Sequence, residues 1–183
     1  EAEIPRRRWL LGTHLARGFV SATISPGGIG KSTLVLSDHV ALATGETLLH
    51  DTPHESAVRS WAINLEDPID ELHRRLFATC KHFCADYDTV RELVAVNSGR
   101  DQRVIIADKD AAGNIVATPD VEALIAEIER HDISHLSIDP FVRSHWADEN
   151  SNKEIDAVLA VYADIAASCN ISIDLVHHTR KSP

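Results

Sequence analysis

The sequence predicts an α/β fold in which a mainly parallel β-sheet carries helices on both faces. Two observations lead to this class. Apolar strand patterns alternate with helical patterns along the chain, and a glycine-rich segment lies between an apolar strand and a helix. With 183 residues the chain has the size of one ordinary domain, so residues 1–183 are treated as a single unit. Because the chain contains no Met and stops soon after a strand pattern, we expect a domain cut short at its C-terminal end.

The first half of the chain contains two strand and helix pairs. A strand predicted over Phe19–Ser25 runs into the glycine-rich segment, and a helix is predicted over Ser32–Thr44. The second strand is predicted over Val58–Leu65. Asp67 and Pro68 are residue types that begin helices. The helix that follows them has an apolar stripe with spacings of three and four, made of Ile69, Leu72, Leu76 and Cys80.

The middle of the chain is less regular. Short strand patterns cover Glu92–Val96 and Val104–Ala107, and a polar turn over Asp108–Asn114 leads to a third at Ile115–Ala117. We interpret residues 100–118 as a small hairpin inserted beside the main sheet.

The last part of the chain returns to regular alternation. A helix is predicted after Pro119, and the third core strand over Ile133–Asp139. Ser151 and Glu154 have the spacing of a capping box, in which Ser accepts from the backbone and Glu reaches back. The helix that they begin leads to a fourth core strand over Ile171–His177.

Composition narrows the function classes. The net charge of −10 and the pI near 5.5 disfavour a protein that coats nucleic acid with a wholly basic surface. They do not exclude a local basic loop that binds nucleic acid. No apolar run approaches the ~18 residues of a membrane helix, and the start lacks the pattern of a signal peptide. The three cysteines form no paired framework. We therefore expect a cytoplasmic protein without a membrane partner.

The glycine-rich segment has the composition of a loop that binds phosphate. It consists of Ser25, Pro26, Gly27, Gly28, Ile29, Gly30, Lys31, Ser32 and Thr33. Glycines let backbone amides approach phosphate oxygens, and the helix N-terminus adds unpaired amides and a favourable dipole. Lys31 is expected to bridge the β- and γ-phosphates, and Ser32 to ligate Mg²⁺. Ser25 stands where the usual pattern begins with Gly, but the essential Gly30, Lys31 and Ser32 are intact.

Two strands end in acids, and ligands bind at the carboxyl ends of strands in such sheets. Asp139 ends the third core strand, where a carboxylate could hold Mg²⁺ through water near Ser32, or could simply precede a turn at Pro140. Glu66 follows the second strand and could orient and deprotonate an attacking water. From the residues alone, this catalytic role and a purely structural role are equally well supported. Asp67 is better explained as a helix N-cap.

Two histidines, His177 and His178, lie at the end of the fourth core strand, at the same edge of the sheet. A His in this position can donate to the γ-phosphate and report its presence, whereas the alternative is a pair of histidines that face a loop. Asp174 lies in the middle of the same strand, where burying an unpaired charge is costly. The sequence offers no reason for it.

Six stretches occur in the order found in one known family. They are Arg8–Gly12, Ser25–Ser32, Leu65–Pro68, Ile138–Phe141, Glu149–Asn152 and His177–Lys181. Together they resemble the RecA-like ATPase core, especially the replicative helicases of the RepA type from plasmids and phages. The resemblance covers nearly the whole chain, although no single stretch is unique to helicases.

The resemblance implies a RecA-like P-loop NTPase fold with the strand order 5-1-4-3-2. The fifth strand would lie beyond Pro183, so the first strand would be an open edge or be covered by Trp9–Leu15. It also implies that Glu66 is the catalytic base, that Asp139 is the acid linked to Mg²⁺, and that His178 or His177 senses the γ-phosphate.

The resemblance further implies ATP and Mg²⁺ as ligands, and a ring as the assembly. In this family ATP is bound between subunits, so a homo-hexamer or another ring is expected. A neighbouring subunit would supply an Arg or Lys to the γ-phosphate, and Arg180 and Lys181 are the candidates for this finger.

Two functions follow from this resemblance. The first is a ring-forming motor that moves on single-stranded DNA as a replicative helicase, with Phe141–Asn150 as the candidate DNA loop. That loop contains Arg143, His145 and Trp146, but also two acids that weaken the case, Asp148 and Glu149. The alternative is a non-motor RecA-like ATPase that switches partner binding in recombination or regulation, which the acidic composition suits equally. A small-molecule kinase is disfavoured because no Arg-rich lid is apparent.

Overall fold

A computed structural model describes residues 4–55 and 57–179. In chain order its strands and helices are β1 (Trp9–Leu11), β2 (Leu15–Ala16), β3 (Phe19–Pro26), α1 (Lys31–Thr44), β4 (Arg59–Asn64), α2 (Ile69–Phe83), α3 (Tyr87–Leu93), β5 (Val94–Ser98), β6 (Ala107–Lys109), β7 (Ile115–Ala117), α4 (Pro119–Arg130), β8 (Ile133–Asp139), a 3₁₀ turn (Phe141–Arg143), α5 (Asn152–Cys169) and β9 (Ser172–Thr179).

Five parallel strands form the central sheet in the order β3-β9-β8-β4-β5. The four predicted core strands are β3, β4, β8 and β9, and their predicted order, 1-4-3-2, is confirmed. All their carboxyl ends therefore lie along one edge, which is where the phosphate loop, Glu66 and Asp139 were expected. The further strand expected after Pro183 falls outside the described residues.

Helices cover both faces of the sheet, as predicted. On one face α1, α2 and α3 pack on the sheet through a cluster made of Leu36, Val40, Ala43, Ala62, Leu76, Cys80, Val90 and Val94. On the other face α4 and α5 bury a larger cluster that includes Leu124, Ile128, Leu136, Ile138, Val158 and Tyr162. Because β8 lies between both layers, all seven of its residues are buried.

Strand β3 is an edge strand within the described chain, because it pairs with β9 on one side only. Of the two alternatives expected for this edge, an open strand or a cover by Trp9–Leu15, no strand pairing by the second is seen, because the β1–β2 hairpin forms a separate two-stranded sheet. Strand β2 lies near β3, and the apolar residues of the hairpin pack against helix α1, through Leu10, Leu11, Leu15, Ala41 and Leu42. The side chains of Phe19 and Ile24 on β3 remain exposed.

The middle of the chain differs from the sequence prediction. The predicted strand Glu92–Val96 begins as the last turn of α3, a helix that the sequence did not reveal because it buries only Val90. The following residues form β5, a fifth strand of the main sheet. The predicted strand Val104–Ala107 starts only at Ala107, but the inserted hairpin itself is confirmed as the antiparallel pair β6–β7.

The helix starts were predicted in part. Thr118 and Ser151 cap α4 and α5, accepting from the amides of Asp120 and Glu154. The Glu154 carboxylate, expected to complete a capping box, accepts instead from the Asp148 amide. Among the described residues no helix is long and apolar enough to span a bilayer.

Candidate active site

The phosphate loop connects β3 to α1 at the carboxyl edge of the sheet, as predicted. Gly28 and Gly30 have φ angles of 84° and 97°, a left-handed conformation that costs other residues energy. Gly30 is the N-cap of α1, and no described side chain caps that helix. The first-turn amides of α1 therefore point toward the phosphate loop without a side-chain cap, which is the arrangement that binds an anion such as a phosphate.

Lys31 lies inside this loop. Its side chain is buried, and its Nζ donates to the carbonyl oxygens of Ser25 (2.7 Å) and Pro26 (2.8 Å). An ammonium group has three N–H donors, so one remains for an oxygen presented by a ligand. The two carbonyls hold the charge beside the uncapped helix start, where it would meet the same phosphate.

Ser32 and Asp139 meet across the mouth of the loop. The Ser32 Oγ donates to Asp139 Oδ2 at 2.5 Å, and Asp139 is buried at the end of β8. A hydroxyl and a carboxylate are hard oxygen ligands of the kind that Mg²⁺ prefers. The pair would therefore offer such a cation one hydroxyl oxygen and a carboxylate that lie side by side.

Glu66 follows β4, beside Asp139. The adjoining backbone is fixed, because Asn64 Oδ1 accepts from the amides of Glu66 (2.9 Å) and Asp67 (2.8 Å). Leu65 also donates its amide to the Asp139 carbonyl at 2.7 Å, which joins the ends of β4 and β8. The sequence reasoning missed Asn64, although an Asn just before a loop is a known turn former.

The loop around Glu66 is also held by two arginines. Arg100 donates its Nε to the Glu66 carbonyl at 2.5 Å, and Arg143 forms an ion pair with the Glu66 carboxylate, with Nε 3.0 Å from Oε1. Arg100 follows β5 and Arg143 follows β8, so three neighbouring strand ends converge on Glu66. No sequence pattern pointed to either contact.

Asp67 is not the N-cap of α2, contrary to the prediction. Helix α2 begins at Ile69 with Pro68 as its N-cap. The Asp67 carboxylate instead accepts from Arg75 at 2.7 Å, and Arg75 also pairs with Glu71. This ion pair holds the start of α2 against the loop that contains Glu66.

A small cavity lies beside these groups. It has a volume of about 20 Å³ and is lined in part by Ser32, Asn64, Arg75 and Asp139. This is room for about one water molecule, and most of the lining is apolar, including Val35, Leu36 and Leu72. Arg75, which the sequence reasoning did not single out, therefore belongs to the site. A wider groove of about 560 Å³ between β4, β5 and α4 contains none of the phosphate-loop residues among its lining.

The two histidines at the end of β9 point to opposite faces of the sheet. His178 Nε2 lies 3.7 Å from Asp139 Oδ1, and a side chain at Gly27 would come within 3.7 Å of His178 Nδ1. His177 packs on the other side, with its ring centroid 6.3 Å from that of Phe141. Successive residues of a strand alternate in this way. The finger candidates Arg180 and Lys181 lie outside the described residues.

Asp174 is explained by its neighbours on β3. It is buried, and its carboxylate accepts from the hydroxyls of Ser21 (3.0 Å) and Thr23 (2.8 Å). Burial nevertheless raises the pKa of Asp174. Burial also raises the pKa of Asp38 on α1, whose carboxylate lies 3.5 Å from His14 Nε2.

His39 holds the phosphate-loop helix to the sheet. Its ring is fully buried, and its two nitrogens contact Ser60 Oγ on β4 and Ser137 Oγ on β8, each at 2.8 Å. Burial lowers the pKa of His39 to about 3, so the ring is neutral near pH 7. The sequence had given this histidine no role. Its contacts fix α1 relative to the strand that ends in Asp139.

The candidate DNA loop is anchored rather than free. Phe141 and His145 are buried, and the Ala107 carbonyl of β6 accepts from the Trp146 amide at 3.0 Å. Trp146 is half exposed, and the Arg103 guanidinium lies 4.9 Å from its ring centroid. His145, expected to face a ligand, belongs to the core of the loop instead.

One comparison with known proteins bears on this site. A family model described as an AAA domain matches residues 1–183, which is the entire chain.

Proposed function

Because the chain belongs to the AAA domain family of P-loop ATPases, we propose that it is the motor domain of a ring-forming helicase. It would hydrolyse ATP to move on single-stranded DNA during plasmid, phage or chromosomal replication. The observation that carries the ATPase part is the direct contact of Ser32 with Asp139 at the mouth of the phosphate loop, between Lys31 and Glu66.

The residues of the loop fit a nucleoside triphosphate. The uncapped start of α1 and the buried Lys31 would hold the β- and γ-phosphates. Ser32 and Asp139 would hold Mg²⁺, which when bound neutralises charge on the phosphate oxygens.

Hydrolysis would use groups at the neighbouring strand ends. Glu66 would orient the attacking water and accept its proton, from a position that the Asn64 side chain fixes. His178 would donate to the γ-phosphate, because it faces Asp139 and the phosphate loop while His177 faces the core. We therefore favour His178 as the sensor.

A basic and aromatic patch supports DNA as the partner. We define the loop-edge patch as Arg100, Arg103, Arg143 and Trp146, which come from the segments that follow β5 and β8. Aromatic rings with nearby guanidinium groups bind single strands by stacking and by charge, without reading the sequence. The patch adjoins Glu66, so a bound strand would lie next to the catalytic groups.

Assembly into a homo-hexamer or another ring is supported by apolar side chains around the phosphate loop. Ile24, Ile29 and Leu34 are all exposed there. Exposed apolar clusters mark contact surfaces, and a neighbouring subunit at this position would enclose the nucleotide. Arg180 or Lys181 of that neighbour is proposed as the finger.

One observation favours the alternative, an ATPase that switches partner binding without moving on DNA. The segment after β8 is tied to β6 through Trp146, and Lys109 of β6 pairs with Glu154 of α5 at 2.9 Å. A loop held in this way suits a fixed docking surface better than a moving pore loop.

Steady-state ATP turnover, with and without a single-stranded oligo(dT), tests both functions. Lys31→Ala should lose tight ATP binding, whereas Glu66→Gln should bind ATP and fail to hydrolyse it. Lys81→Ala, at an exposed position on α2, is the matched control. Normal hydrolysis by Glu66→Gln would contradict the role of Glu66. Robust turnover that ignores oligo(dT) would favour the switching ATPase over the motor.

A further inference from the structure

A second basic and aromatic surface lies at the end of the sheet opposite to the phosphate loop. We define the amino-end patch as Arg6, Arg7, Arg8, Trp9 and Phe19. Phe19 is the first residue of β3 and pairs with Ser172, the first residue of β9, whereas the phosphate loop follows the last residue of β3. A strand of this length spans about 23 Å, so the patch is separate from the nucleotide site.

Arg7 is held in place by two aromatic rings. Its guanidinium carbon lies 5.1 Å from the ring centroid of Trp9 and 5.1 Å from that of Phe19. Such cation–π contacts use the charge and the flat face of the guanidinium, whereas its N–H donors lie in its plane. No described residue accepts a hydrogen bond from the Arg7 side chain. Arg7 therefore presents oriented donors to a ligand.

The described part of the chain leaves the positive charge of the patch uncompensated. Arg6, Arg7 and Arg8 are exposed, and none of them forms an ion pair within residues 4–55 and 57–179. The nearby acid Glu55 is already paired with Arg17, through contacts of 2.9 Å and 2.6 Å. The hydrogen bond from Arg17, and to a smaller extent the charge of Arg8, lowers the pKa of Glu55. In a chain with a net charge of −10, three adjacent arginines of this kind favour a polyanionic partner.

The aromatic rings distinguish between kinds of polyanion. Phe19 is 54% exposed, and Trp9 is partly exposed. Exposed rings stack with the bases of a single strand while arginines bind its phosphates. An acidic peptide would satisfy the arginines but would offer the rings no flat group. The patch therefore fits single-stranded nucleic acid better than it fits an acidic peptide.

We propose that the amino-end patch is a second binding site for single-stranded DNA, in which Arg7 binds a phosphate and the rings of Trp9 and Phe19 stack with a base. This inference rests on the proposed function for its choice of DNA, and it adds a contact at the opposite end of the sheet from the loop-edge patch. Because the patch is distant from the phosphate loop, it binds DNA without nucleotide.

The first test is the affinity of the full-length protein for fluorescein-labelled oligo(dT) without nucleotide, measured by anisotropy over a series of KCl concentrations. Arg7→Gln removes one phosphate contact, so the slope of log affinity against log salt should become shallower by about 0.7. Near about 0.1 M salt the affinity should fall roughly fivefold. Arg7→Lys keeps the charge but loses the flat donor plane, so it should restore the slope but only part of the affinity. Arg91→Gln, which removes an exposed arginine of α3, is the matched control and should leave both nearly unaltered.

The second test uses Trp9 as a reporter of the patch. In the variant Trp61→Phe with Trp146→Phe, Trp9 is the one tryptophan left of three. Oligo(dT) should quench its emission, and Arg7→Gln in this background should weaken the quenching. An unchanged Tm in Arg7→Gln shows that the loss does not come from unfolding. Quenching by poly-glutamate but not by oligo(dT) would overturn the proposal in favour of an acidic polypeptide.

The outcomes separate this site from the function on which it rests, with Arg103→Gln as the variant of the loop-edge patch. Binding that weakens in Arg103→Gln but not in Arg7→Gln, with Trp9 emission unaltered, would overturn the amino-end patch alone. Absence of any oligo(dT) binding would overturn this site together with the DNA motor, and ATP turnover by the same protein would then favour the switching ATPase. Losses in both single variants that multiply in the double variant would support two independent sites.

Discussion

Acidification should destabilise this protein through His39, which joins the phosphate-loop helix to β4 and β8. Burial lowers its pKa from the ordinary 6.5 to about 3. The unfolded chain therefore takes up a proton near pH 6.5, whereas the folded chain resists it down to about pH 3. Stability is fully present above pH 6.5 and falls as the pH drops through this window.

The size of the effect follows from the two pKa values. Each unit of difference corresponds to about 1.4 kcal/mol. A pH of 5 is about 1.5 units below the pKa of His39 in the unfolded chain, so the free energy of unfolding should be about 2 kcal/mol lower than at pH 7. The loss should reach about 5 kcal/mol near pH 3, which is a large part of the stability of an ordinary domain.

Urea unfolding, followed by tryptophan fluorescence from pH 7.5 to pH 5, measures this loss. The free energy of unfolding should change less steeply with pH in His39→Gln than in the native protein, by up to about 1.4 kcal/mol per pH unit. Burial and, to a smaller extent, the neighbouring His39 lower the pKa of His135, so the difference between the two slopes also includes any change in the titration of His135. His73→Gln, on the exposed side of α2, should leave the slope unaltered. Equal slopes for His39→Gln and the native protein would refute the reasoning.

Three further predictions use other parts of the molecule. Asn64→Ala removes two hydrogen bonds that fix the loop of Glu66, so ATP turnover should fall severalfold while equilibrium binding of ATP is retained. Asp174→Asn should gain stability over the native protein as the pH rises from 4 to 7 in urea titrations. The Asp174 carboxyl ionises above pH 3.8 in the unfolded chain but only at higher pH in the folded protein, so the native protein loses stability as the pH rises. The amide of Asn does not titrate and avoids this loss. Tyr162→Phe loses the hydrogen bond to Ser144 and should lower stability by about 1 kcal/mol, seen as a fall in Tm of about 2–4 °C.

The phosphate loop could be predicted because it depends on short-range patterns, whereas the order of the strands in the sheet is a long-range property. An apolar strand, a glycine-rich turn and a helix start within fifteen residues of Phe19 define the loop, and the family resemblance supplied the order. Helix α3 could not be predicted, because a seven-residue helix with one buried side chain has no periodicity to detect.

The finer chemistry of the site depends on contacts that no local pattern encodes. Period-2 alternation requires His177 and His178 to face opposite sides, but only the packing of Phe141 decides which one faces the core. Arg143 reaches Glu66 from a distant part of the chain. The Asp67 prediction failed because Arg75, two turns along the same helix, offered its carboxylate a stronger partner than the helix amides.

The edge strand β3 has a consequence for how the protein behaves at high concentration. Alternate residues of this eight-residue strand present backbone groups that no described strand pairs, and Phe19 and Ile24 expose apolar side chains beside them. Such a strand can template the addition of another strand from any chain that reaches it. Arg7, whose guanidinium lies 5.1 Å from the Phe19 ring centroid, shields only one end. Left uncovered, this edge favours association between chains in concentrated solution.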